Sequence, residues 1–140
     1  MNPNSDDPSR PAVAPGCTGS VSLIVTEAHT APRLGSGRAP VFATPALVAL
    51  LEGAAVACVE EKLDTGQETL GIHIDVEHIA ATPVGLKVTA TAELVERDGR
   101  KLVFDVTARD ERELIGRGRH TRLIVDSARF RDKVQAKGRK

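Results

Sequence analysis

The sequence predicts an α+β domain in which an antiparallel five-stranded sheet wraps around one long buried helix. Three observations carry that expectation. From Ala46 to Val59 every residue except Glu52 and Gly53 is apolar, so the segment has no polar face to turn toward solvent. From Leu70 onward the apolar period falls to two and recurs in run after run. Asp98-Gly99 stands between two of those runs as a tight hairpin signal.

The elements follow in order. Residues 1–16 (MNPNSDDPSRPAVAPG) hold four prolines and few large apolar groups, the composition of a disordered leader. A single domain is expected over 17–140, since 140 residues suffice for one core and not for two. Residues 17–28 carry the apolar run Val21 to Val25 and predict a first strand. Residues 29–40 (HTAPRLGSGRAP) are a Gly- and Pro-rich loop. Thr44 suits a helix N-cap and Pro45 the first helical position, where a missing N–H costs nothing. The helix turns polar at Glu60, Glu61 and Lys62, and Gly66 is the expected stop. In LGIHIDVEH, alternation puts Leu70, Ile72, Ile74, Val76 and His78 on one face. TPVG (82–85) is a turn, followed by an alternating strand over 86–94 and its hairpin partner over 102–108. A polar turn leads to a last strand over 114–125 and a short basic helix over 127–137.

A helix apolar on all sides needs a sheet curled about it, which is the hotdog architecture. In a fold of this size the helix ends near a sheet edge, so dimerisation across the sheet is expected. Composition excludes several functions. With three Phe and no Trp or Tyr, the chain lacks the stacking platforms that single-stranded nucleic acid needs. No run of eighteen apolar residues suggests a membrane span. Cys17 and Cys58 form no CxxC and have no neighbouring His at zinc spacing, and with no signal peptide they are expected to be free thiols in a cytoplasmic protein. Formal net charge is zero, yet residues 1–96 sum to −7 and residues 97–140 to +7. A basic C-terminal third suits a multiply charged anion, or is simply a solvated tail.

Three polar residues stand in apolar settings. Glu52 is the lone charged group between Pro45 and Val59, and a buried carboxylate needs a partner or a proton. It is either a capped structural carboxylate or a catalytic acid or base. His78 ends an apolar row near a rim, where it is either a satisfied edge histidine or a general base. Thr44 has a full role as a cap, yet its hydroxyl also adjoins the positive end of the helix and the amides of Ala46 and Leu47, suited to an oxyanion. Glu52, eight residues on, lies on about the same side of the helix. Hydroxyl, carboxylate and imidazole are the ingredients of acyl transfer.

The strings PVFATPALVALLEGAAVACVE, LGIHIDVEHIAATPVGLKVTATAEL and IGRGRHTRLIV together resemble the fluoroacetyl-CoA thioesterase-like branch of the hotdog superfamily, over about residues 40–125. The resemblance implies a catalytic Thr44, Glu52 and His78, the Gly71 amide near the thioester carbonyl, and Arg122 near bound substrate. It also implies hydrolysis of a small or short-chain acyl-CoA with no metal or organic cofactor. Arg117 and Arg119 are further candidates for the CoA phosphates, although alternation sets them on the opposite strand face from Arg122. The fluoroacetyl-selective type carries aromatic side chains in the loop before VFAT. Residues 29–40 contain no Phe, Tyr or Trp, which argues against the same apolar lid and the same selectivity. A non-catalytic acyl-CoA or acyl-carrier binding module on the same fold is the alternative, and a hydratase is disfavoured by the lack of its paired carboxylate–histidine motif.

Overall fold

The computed structural model describes residues 12–139. Strand β1 (Thr18–Ile24) leads to a single helical turn, α1 (Ala31–Leu34), and then to the long helix α2 (Thr44–Val59). Four strands follow, β2 (Gln67–His78), β3 (Lys87–Asp98), β4 (Lys101–Arg109) and β5 (Leu114–Asp126). Helix α3 (Ser127–Gly138) closes the described chain. The strands form one sheet in the order β1-β3-β4-β5-β2, with every neighbouring pair antiparallel. This is the predicted hotdog arrangement, a curled sheet against one long helix. Beyond β1, β2 is the other edge.

Alternation sets the inner face. Val88, Ala90, Ala92 and Leu94 of β3 and Leu102, Phe104, Val106 and Ala108 of β4 are buried against α2. The small alanines let the helix approach the sheet closely, which is the condition for dense packing at this interface. Gly19 of β1 has the same function at the far end of the helix: a Cβ there would meet the backbone of Cys58 and Ala54.

Four expectations need correction. Helix α2 is buried on one face only, through Leu47, Leu51, Ala54, Ala55, Cys58 and Val59. Thr44, Pro45, Ala49 and Ala57 are exposed, and Val48, Glu52, Gly53 and Val56 are half-buried, because five strands curl round only part of the helix. The α-helix ends at Val59 in a 3-10 turn over Glu60–Lys62, short of Gly66, which serves the turn before β2 with φ 86°. The shared face from Leu70 to His78 is broken by a bulge. Gly71 pairs with Arg122 and His73 with Thr121, leaving Ile72 as the extra residue. One added residue inverts parity, so Leu70 lies on the outer face opposite Leu123 while Gly71 takes the inner position. Of the leader expected over 1–16, residues 1–11 lie outside the described residues. The remainder is tied down. Val13 is buried, its carbonyl accepts from Arg97 Nη1 at 2.8 Å, and the Gly16 amide donates to the Leu94 carbonyl at 2.8 Å.

On the outer face α3 starts with a formed cap, the Asp126 carboxylate accepting from the Arg129 amide at 2.9 Å. It lays Phe130 and Val134 over Leu70, Leu123 and Val125.

Candidate active site

The chain approaches helix α2 through a pinned segment. The Phe42 amide donates to the Thr82 carbonyl at 2.8 Å and the Ala43 amide to the His29 carbonyl at 2.9 Å. The N-cap is therefore Ala43, which offers no side-chain cap, and Thr44 is the first helical residue. This corrects the expected cap. The Thr44 hydroxyl is not used on its own helix but meets His78 Nδ1 at 2.8 Å. The Leu47 amide is already engaged, donating to the Ala43 carbonyl at 3.0 Å. Pro45 has no N–H, so of the two donors expected for an oxyanion only the Ala46 amide remains.

His78 ends β2 opposite Gly116 and stands edge-to-face on Phe42, with ring centroids 6.4 Å apart. Burial pushes its pKa below the ordinary 6.5, partly offset by the Ala80 backbone. The imidazole is thus neutral at pH 7. With Nδ1 accepting from the hydroxyl, Nε2 carries the proton, and this atom is buried with no hydrogen-bond partner among the described residues. A cavity of about 370 Å³ opens on the pair, walled by Ala31, Val41 and Phe42 and rimmed by residues 36–39.

Glu52 belongs to a second cluster. It is not the buried unpaired carboxylate expected, being 41% exposed with Oε2 3.1 Å from Arg122 Nη1. Arg122 is buried on the inner face of β5. Its Nε donates to Thr69 Oγ1 at 2.9 Å, Nη2 to the Thr69 carbonyl at 3.0 Å, and Nη1 also to His120 Nε2 at 3.0 Å. His120 Nδ1 donates to the His73 carbonyl at 2.8 Å, which leaves Nε2 as the acceptor and the ring neutral. Burial first, and the Arg122 charge beside it, hold its pKa below 6.5 against the opposing pull of Glu52. Gly71 faces this cluster. A Cβ there would stand 2.5 Å from Glu52 Oε2.

The structure therefore joins Thr44 to His78, and Glu52 to Arg122 beside Gly71. It does not join the two groups within one chain. Eight helical residues separate Thr44 from Glu52 by about 12 Å. Arg117 and Arg119 stand on the outer sheet face, 3.8 Å from Glu77 and 3.0 Å from Asp105 respectively. His120 and Thr69 escaped the sequence reading. For His120 a signal was present, since it shares inward parity with Arg122 two residues on. Among the described residues no three His, Cys, Asp or Glu side chains gather to hold a metal, and no helix is long and apolar enough to cross a membrane.

Both clusters fall inside the segment that matches a known family. The profile of the fluoroacetyl-CoA-specific thioesterase family, FlK, matches residues 25–128. The chain belongs to this family. A fluoroacetyl-CoA thioesterase of Streptantibioticus cattleyicolor is 44% identical over 97 residues, covering 69% of this chain and 70% of the relative. The solved structure of the fluoroacetyl-CoA thioesterase FlK superposes with TM-score 0.86 at 35% identity, covering 91% of this chain and 98% of that one. A Thermus thermophilus member of the thioesterase superfamily superposes with TM-score 0.82 at 27% identity, over 91% and 93% of the two chains. Within the FlK family, this chain's loop before Thr44 reads GSGRAP, with Arg38 on the cavity rim.

Proposed function

We propose that this FlK-family protein hydrolyses small or short-chain acyl-CoA thioesters. The observation that carries the reading is the 2.8 Å contact of Thr44 Oγ1 with His78 Nδ1 at a helix N-terminus beside a cavity. A neutral His78 takes the proton as an oxygen attacks the thioester carbonyl, and returns it to the CoA sulfur as the carbon–sulfur bond breaks. The attacking oxygen is that of a water Thr44 positions, or that of Thr44 itself, in which case a water then cleaves the acyl-threonine ester to release the acid and restore the hydroxyl; burst kinetics separate the two. The Ala46 amide and the helix dipole face the charge that develops on the carbonyl oxygen. These steps call on no cofactor.

We assign Glu52, Gly71 and Arg122 to the same site through a homodimer. Among the described residues edge strand β2 has no neighbour on its free side, with Ile72 54% exposed, and α2 presents an uncovered apolar stripe. A two-fold axis beside Val48 and between Ile74 and Asp75 would set Thr44 of one copy opposite Glu52 of the other, and His78 opposite Gly71. Pairing β2 with its copy about that axis brings one chain's Thr44–His78 beside the other's Glu52–Arg122, and gives the orphaned His78 Nε2 new neighbours. Arg117 and Arg119, on the outer face of β5 beside that edge strand, are assigned to the CoA phosphates. The missing aromatic side chains in residues 29–40 support a pocket not selective for the fluoroacetyl group.

Free-CoA release from acetyl-, fluoroacetyl-, medium-chain and aryl-CoA tests the reading, with the thiol background of Cys17 and Cys58 subtracted. Thr44→Ala and Glu52→Ala are expected to lose about 100-fold or more in kcat/KM with unchanged circular dichroism. Binding without turnover across the panel would replace the enzyme with an acyl-CoA-binding module.

A further inference from the structure

We propose that Arg38 recognises a carboxylate at the far end of the acyl group, so that the preferred substrates are CoA monothioesters of short dicarboxylic acids. This deepens, and rests on, the thioesterase reading above.

The inference stands on the charge around the cavity that adjoins Thr44 and His78. Its lining runs from Ala31 and the 36–39 rim over the 41–44 segment to residues 78–81. Arg38 is the one permanently charged side chain among these residues, and no carboxylate lines the cavity with it. Arg38 makes no hydrogen bond or ion pair among the described residues. Four arginines elsewhere in the described chain are already engaged. Arg119 is held by Asp105 and Arg131 by Glu68, Arg122 is held by Glu52 and Thr69, and Arg97 is bonded to two backbone carbonyls.

The rim that carries Arg38 is anchored at both ends. The Ser36 amide donates to the Ala31 carbonyl at 2.9 Å, the Ala31 amide to the Val41 carbonyl at 3.0 Å, and the Val41 amide to the Ala39 carbonyl at 2.9 Å. The backbone that carries Arg38 is therefore held at the mouth of the cavity rather than on a free loop. A planar guanidinium pairs with a carboxylate through two parallel N–H···O bonds, a match that a neutral acyl terminus cannot make. The small side chains of Ser36, Gly37 and Ala39 leave room for that group between the rim and the apolar wall.

The test compares kcat/KM for malonyl-, succinyl- and glutaryl-CoA with butyryl- and pentanoyl-CoA, after subtraction of enzyme-free hydrolysis. The same acyl groups on pantetheine, which lacks the CoA phosphates, form the second arm. The expected result is a preference of about tenfold or more for at least one dicarboxylic thioester, present on both carriers. In Arg38→Gln and Arg38→Ala the ratio of dicarboxylic to neutral substrates falls toward one, and in Arg38→Glu it inverts. All three Arg38 substitutions replace an exposed side chain, and thermal melts confirm that each variant is folded. An equal loss for all CoA thioesters that vanishes on pantetheine would make Arg38 a phosphate contact and overturn the inference. So would turnover of neutral acyl-CoAs with no preference, which leaves the thioesterase reading standing. No turnover of any thioester would overturn both.

Discussion

Replacing Gly71 with alanine separates the chemistry of the Glu52 cluster from the stability of the fold. The added methyl would lie 2.5 Å from Glu52 Oε2, 3.1 Å from His120 Cε1 and 3.2 Å from Arg122 Nη1. His120 and Arg122 are buried and held by several hydrogen bonds each, so they give little. The Glu52 carboxylate is 41% exposed and ends a flexible side chain, so it retreats. Ordinary contact begins near 3.4 Å, which sets the retreat at about 0.9 Å. A misplacement of about 1 Å in a catalytic group costs on the order of 100-fold in rate. Overpacking that a mobile side chain relieves costs about 1 kcal/mol, or roughly 4 °C in Tm for a chain of this size. Gly71→Ala is thus expected to lose about 100-fold in kcat/KM for CoA release while melting only a few degrees lower. Gly118→Ala is the contrast. Its Cβ would strike the Asp75 carbonyl and Val76 Cα of the neighbouring strand, backbone that cannot step aside, and the protein should lose its cooperative melt. Wild-type turnover in Gly71→Ala, or a loss that merely tracks unfolding, would refute this reasoning.

Two further predictions follow from titration. Burial lowers the pKa of both His78 and His120 below 6.5, so the unfolded chain binds protons more readily than the folded one. Their contribution to stability is fully present above pH 6.5 and is lost as pH falls below it. The urea midpoint should therefore drop between pH 7 and pH 5, and the acidic limb of kcat/KM should lie below pH 6.5. A limb above 6.5 would contradict a neutral, desolvated His78. Cys17 and Cys58 stand with sulfurs 2.9 Å apart, and burial, with Cys17 beside it, pushes the Cys58 thiol up to about 12. Iodoacetamide at pH 8 should label one thiol per native chain, at Cys17, and two after unfolding. Two labels in the native protein would contradict the packing at the end of α2.

Much of the fold was legible because its signals are local. The apolar run of Ala46 to Val59 requires a covered helix, and alternation along β3, β4 and β5 names their inner faces without any knowledge of partners. The face of β2 was not legible before Ile72, at Leu70, since a bulge leaves no mark in alternation and inverts every position on one side of it. Thr44 shows a second limit. Its hydroxyl had two credible acceptors or donors, its own helix or a side chain elsewhere, and only the fold brings His78, thirty-four residues on, within 2.8 Å. Glu52 shows a third. Its partner Arg122 is seventy residues distant, so the sequence signalled that a partner was needed without locating it. Spacing along the helix also placed Thr44 and Glu52 on one side, and it carried their separation of two turns, which is why the two clusters do not meet within one chain.

The central claim is that one site draws on two copies of the chain, and mixing two inactive variants tests it most directly. Thr44→Ala retains Glu52, and Glu52→Ala retains the Thr44–His78 pair. Unfolded together and refolded at equal concentration, they should form mixed dimers as half of the population. Each mixed dimer then holds one complete site of two, so CoA release should return to about a quarter of the wild-type rate. If the mixture stays as inactive as either variant alone, the site lies within a single chain and the account is wrong.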